Sequence, residues 1–204
     1  MTGIISDNVG RPSGLIKAAS GGGGVWTKIK EITASSDSSI SFVDGTSDVV
    51  LDSTYPIYVF KFNIHPSADA RLQVNFRDGG SSYDATKTST FWEASHAEDE
   101  GRAEVGYVTD YDLAQSTSVQ ALAYVSNGNE EVSAGTLHLF SPSSTTFVKH
   151  YICRVSCHHS MPGSIDTFIA GYCNVTAAID GVQFSMSSGN IDAGTIKMYG
   201  IGDS

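Results

Sequence analysis

The chain has 204 residues, 40% of them hydrophobic, 10% aromatic and 17% charged, a composition that folds rather than staying disordered or coiling into long helices. With 12 Lys and Arg against 22 Asp and Glu, the formal charge is -10. No dense basic patch offers the counterion release that binding to a phosphate backbone requires, so no nucleic-acid partner is expected. A single domain of this size buries roughly 70% of its unfolded surface, which makes disulfides and metals optional.

Residues 1–24 read as an extended anchoring arm that ends in a joint of four glycines, Gly21 to Gly24. Its apolar residues Ile4, Ile5, Val9, Leu15 and Ile16 are spaced by turn formers such as Asp7, Asn8, Gly10, Pro12 and Gly14, with Arg11 and Lys17 as its cations. That is the pattern of a peptide lying in a partner's groove. A tail without fixed structure is the alternative, because termini are where order is lost first. No basic stretch precedes an apolar run at the start, so neither a secretory signal nor a transit peptide is expected. No apolar run approaches the roughly 20 residues that span a bilayer, so membrane insertion is not expected either.

From residue 25 to 204 the sequence predicts strands. Trp26 to Ile32 alternates, and the runs Ile40 to Val43 and Val49 to Leu51 suggest a hairpin around Asp44 and Gly45. Ile57 to Ile64 and Leu72 to Phe76 alternate strongly, and the latter runs into a turn at Asp78 to Gly80. Further strands are expected at 105–108, 119–125, 136–140, 146–156, 167–172, 177–186 and 195–199. The best helical candidate is a short one near Phe91 to His96. Many short strands separated by turn clusters predict an all-β fold, an antiparallel β-sandwich of jelly-roll type preceded by the arm. An internal echo supports this: Ser133 to Phe140 aligns with Asp192 to Tyr199, with Ala, Gly and Thr identical in both. Two similar hairpins, each ending in an alternating strand, are inferred from it.

Cys153, Cys157 and Cys173 form an odd set that argues against a disulfide framework. His150, His158 and His159 beside them raise a zinc site, yet an extended strand separates Cys153 from Cys157 by roughly 13 Å, too far for one ion or one disulfide. Buried small-hydrophobe cysteines are the plainer reading, and no metal or cofactor is expected. Glu93, Glu98, Asp99, Glu100, Glu104, Asp110 and Asp112 surround a single Arg102 in what reads as a loop. A solvated loop and a calcium site both fit, although the spacing matches no EF-hand. No nucleophile elbow, zinc-protease helix, P-loop or dinucleotide fingerprint is present, so no catalytic residue is assigned and the chain reads as non-enzymatic. A β-sandwich hydrolase would need convergent carboxylates in a cleft. The aromatics Tyr83, Trp92, Tyr107 and Tyr111 sit in the most loop-like, acidic part of the chain and are candidates for stacking on sugar rings; the alternative is that they are core.

The stretches Gly3 to Ala18 and Ser188 to Gly200 resemble, respectively, the leader and the closing strand of structural proteins of tailed, particularly marine, bacteriophages. The resemblance covers under a fifth of the chain. It implies a virion protein assembled in the host cytoplasm, anchored through residues 1–24 to capsid or tail proteins, and homotrimeric. The absence of a long β-helical region favours a capsid decoration protein or a short head or tail appendage over a full-length fibre. A host-surface glycan is the alternative partner, recognised by the sandwich as an adhesion module.

Overall fold

A computed structural model describes residues 26–158 and 162–202. The anchor residues Ile4, Ile5, Val9, Arg11, Leu15, Ile16 and Lys17 lie outside the described residues, as do His159 and Ser160. Among the described residues the chain forms thirteen strands: β1 (Trp26–Thr33), β2 (Ser39–Val43), β3 (Ile57–Pro66), β4 (Ala70–Arg77), β5 (Lys87–Ala97), β6 (Ala103–Tyr107), β7 (Leu113–Ser116), β8 (Gln120–Val125), β9 (Ser133–Phe140), β10 (Lys149–His158), β11 (Gly163–Cys173), β12 (Gly181–Met186) and β13 (Ile191–Ile201).

All-β architecture and the sandwich are as the alternation predicts. A nine-stranded sheet runs β1-β13-β3-β9-β10-β11-β5-β6, with β7 also on β5, and a four-stranded sheet runs β2-β12-β4-β8. Every pairing is antiparallel. Strand β10 shows why: its residues alternate strictly between buried and exposed from Lys149 to Cys157, which places one edge of the pleat in the core and the other outside.

Between the sheets, Phe42 on β2 packs edge-on against Phe60 on β3, with ring centroids 5.3 Å apart. Phe184 on β12 lies 5.8 Å from both Phe60 and Phe62. These four rings tie the sheets together where the smaller one covers β3. The large rings need room on the strands beside them. A Cβ at Gly135 would come within 2.5 Å of the Phe62 ring, and one at Gly171 within 2.6 Å of the Tyr151 ring. Both glycines therefore let an aromatic ring lie flat on the neighbouring backbone.

Four details differ from the sequence expectation. The helix expected at Phe91 to His96 is the middle of β5, because Phe91 buried and Trp92 exposed obey a period of two. Val49 to Leu51 does not pair with Ile40 to Val43. Instead β2 pairs with β12, and the segment after it turns back through the Gly45 N–H to Val49 carbonyl bond of 3.0 Å, burying Val49 and Leu51 as irregular chain. The two echoed segments are β9 and β13, which flank β3 on either side. The strands preceding them, β8 and β12, lie in the smaller sheet, so each copy is an arch between sheets and not a hairpin. Finally, the acids between Glu93 and Asp112 do not share one loop. Glu93 and Glu104 belong to the β5–β6 hairpin and flank Arg102, while Asp112 accepts a hydrogen bond from the Tyr107 hydroxyl at 2.7 Å.

Candidate carbohydrate-binding face

Strand register carries one row of side chains across the outward face of the larger sheet. Lys197 on β13 stands opposite Lys61 on β3, which stands opposite Thr136 on β9. Thr136 pairs with Arg154, Arg154 with Phe168, Phe168 with Trp92, and Trp92 with Tyr107. Because strands lie about 4.8 Å apart, the row runs roughly 29 Å from Lys197 to Tyr107. Neighbouring positions on the same face are small or polar, among them Ala134, Ser156 and Asn63. The consequence is an open groove of about 1040 Å3 floored by Ala134, Gly135 and Thr136 and rimmed by Trp26, Tyr199, Lys61, Lys197, Ile152 and Arg154.

At one end of the row the aromatics cluster, with Trp92 between Phe168 and Tyr107 in the strand register. Trp92 and Phe168 stack at 4.1 Å with only 6° between their planes. The Arg154 guanidinium lies 4.7 Å from the Phe168 ring centre and is held by Asp166 through Nε contacts of 3.0 and 3.1 Å. Trp92 remains 38% exposed and Tyr107 53%. Stacking and the guanidinium fork fix the orientation of these rings, so their free area is presented without much rotamer entropy left to lose. The hydrogen bond to Asp112 pushes the Tyr107 hydroxyl above its ordinary pKa, keeping it protonated.

The other end is built from Trp26 and Tyr199, whose rings meet edge to face at 5.6 Å. Trp26 is 45% exposed, and the Lys61 ammonium sits 5.3 Å from its ring centre. Lys28 and Lys197 both reach Glu31, at 3.1 and 3.5 Å, and the Lys28 hydrogen bond, with both ammonium charges, lowers that carboxyl's pKa. His138, next along the face, has its pKa lowered first by burial and then by Lys61. The imidazole is held neutral, able to donate from one nitrogen and accept at the other.

Of the four aromatics read from the sequence, the structure brings Trp92 and Tyr107 together on this face. It does not bring Tyr83 or Tyr111 there. Tyr111 packs on the core against Phe91, with the Arg71 guanidinium 3.7 Å from its ring centre. Tyr83 is half-buried beside Gly181, its carbonyl accepting from the Asn75 amide. Sequence reasoning missed Trp26, Tyr199, Phe168, Lys61, Lys197 and Arg154 as members of one surface. Alternation within each strand gives the face of each residue, but only pairing across seven strands reveals the row.

The three cysteines are free and buried, and burial pushes the thiols of Cys157 and Cys173 up to about 12 and raises that of Cys153 as well. Cys173 sits in a buried row between Lys149 and Lys87, which pair with it from either side. Among the described residues no group of three or more His, Cys, Asp or Glu side chains is placed to hold a metal ion. No protein-family model, no curated protein and no solved structure matches this chain.

Proposed function

We propose that this chain is a non-enzymatic recognition module of a tailed-phage particle, and that it binds a host-surface glycan across the outer face of its larger sheet. The observation carrying this reading is the cross-strand row that sets the exposed rings of Tyr107 and Trp92, the latter stacked on Phe168, on the same outward face as a groove lined by small and polar residues. Sugar rings offer flat C–H faces to such aromatics, while Thr136, Asn63 and Ser156 offer hydrogen bonds to hydroxyls. The test is to apply the full chain to a glycan array and to host cells. Trp92→Ala and Tyr107→Ala are expected to weaken binding about tenfold or more, as truncation of a central aromatic anchor does, with an unchanged β-type circular dichroism spectrum. No binding at saturating protein would refute the reading.

A second reading, a capsid decoration or short appendage protein, draws on the strand order. Strands β1, β13, β3 and β9 lie side by side opposite β2, β12, β4 and β8. The chain crosses between these two sets at every step but β4 to β8, with β5 to β7 and β10 to β11 inserted as an extension of one sheet. That arrangement supports a jelly roll, a fold shared by viral capsid and lectin domains. On this reading residues 1–24 anchor a homotrimer to capsid or tail. Deleting residues 2–24 should then leave a folded protein absent from particles; retained incorporation would refute the anchor.

A further inference from the structure

We infer that the β1–β13–β3 end of the groove is an anion subsite, which takes the carboxylate or sulfate of an acidic sugar whose ring stacks on Trp26 or Tyr199. This inference rests on the glycan reading above and names its ligand class. Lys61 and Lys197 are direct cross-strand partners on an exposed face, and like charges placed so are destabilising. A chain with 22 acids and 12 bases had ample means to pair them, yet Lys61 makes no ion pair among the described residues. Arg154, the next cation along the row, is already neutralised by Asp166, whereas Lys197 shares the one carboxylate of Glu31 with Lys28 and Lys61 has none, so three ammonium groups against one carboxylate leave this end positive. The floor beside them is Gly135 and Thr136. It leaves room for a bulky anionic substituent and offers one hydroxyl to it. His138, whose basicity is lowered first by burial, is lowered further by the Lys61 charge.

A cation–π contact with Trp26 engages Lys61 and a shared Glu31 engages Lys197, but neither cancels the excess of ammonium charge on this face. An anion held between Lys61 and Lys197 does, because their repulsion in the free protein is relieved on binding.

The experiment titrates the full chain calorimetrically with three hexasaccharides: a uronate (alginate), a sulfated galactan (carrageenan) and a neutral glucan (laminarin). At least one acidic hexamer is expected to bind about tenfold or more tightly than the neutral one, the size of one or two charge-assisted contacts. The Lys61→Gln, Lys197→Gln double variant should lose that preference while keeping neutral binding within about twofold, and the double Arg variant should restore it. Which acid binds distinguishes carboxylate from sulfate. Equal affinity for neutral and acidic hexamers, or a preference that survives the double Gln change, overturns the subsite and leaves the glycan reading standing. Absence of binding to every hexamer and to the array overturns both.

Discussion

Lys87 is fully buried on β5, and its ammonium donates to the Asn75 side-chain oxygen at 2.6 Å and to the Ala85 carbonyl at 2.7 Å, with no carboxylate in contact. Burial without a counter-ion pushes its pKa down from 10.5 to about 8. Between those two values the unfolded chain holds a proton that the folded one has released. Stability attributable to this group therefore rises with pH through that window, the reverse of a salt-bridged lysine. From pH 7 to pH 9 the gain works out at about 1 kcal/mol, and at neutral pH the fold bears a penalty on the order of 3 kcal/mol for charging the buried amine. The thiols pull the other way above pH 9, so the wild-type curve alone is ambiguous. Comparing wild type with Lys87→Met at pH 7, 8 and 9 cancels the cysteines. Guanidinium unfolding followed by tryptophan fluorescence in reducing buffer should show the wild type gaining about 1 kcal/mol on the variant over that range. Parallel curves would refute the reasoning, because they would mean that Lys87 stays fully charged inside the core.

Gly135→Val should destabilise by about 2 kcal/mol or more, because the new side chain meets both the Phe62 ring and the Arg154 carbonyl within 3 Å. Gly106→Ala on the exposed strand β6, where a Cβ meets nothing, should stay within about 0.5 kcal/mol; denaturant midpoints of the two variants check the contrast. Cys153, Cys157 and Cys173 should be inert to a chromogenic disulfide reagent at pH 8 in the native protein and all react once it is unfolded, since their thiolates are disfavoured by burial. Above pH 9 the same shifts reverse the linkage sign: the folded state keeps protons that the unfolded chain gives up, and melting temperature should fall steeply as pH rises.

Strand existence was legible wherever one face is buried. Ile57 to Ile64 and Lys149 to Cys157 alternate because each has a wet side and a dry side. What alternation cannot convey is which strand lies beside which. The echo between β9 and β13 was visible, but not that β3 runs between them, nor that their preceding runs belong to the opposite sheet. Phe91 to His96 misled because Ala94, Glu93 and His96 favour no strand by themselves; pairing with β11 on one side and β6 on the other overrides local preference. Lys87 and Lys149 carry no local signal of burial. Their ammonium groups are received by Asn75 and Val175 on other segments and by the adjacent Ala85 carbonyl. The candidate face was half legible: Trp92 and Tyr107 stood out as aromatics amid acids, whereas Lys61, Lys197 and Trp26 came from strands far apart in sequence and gave no local signal.

The outward face, from the groove to Tyr107, is also electrically polar, and this bears on how a ligand would lie across it. Lys61 and Lys197 occupy one end, while at the other the Asp112 carboxylate stands behind Tyr107, 2.7 Å from its hydroxyl. On the proposed function, an oligosaccharide places its acidic unit at the lysines and an uncharged ring against Tyr107 and Trp92. A polymer charged on every residue meets repulsion at the second end and fits less well than one in which acidic and neutral units alternate. Asp112→Asn removes that repulsion without removing the hydrogen-bond acceptor, so affinity for a uniformly acidic hexamer should rise about threefold, the size of one exposed charge contact near 0.6 kcal/mol. Affinity for the neutral hexamer should not change, and the gain should vanish in high salt as the Debye length shrinks to roughly 3 Å. An equal gain for both ligands would mean that Asp112 acts by loosening Tyr107, and the assigned polarity of the groove would be wrong.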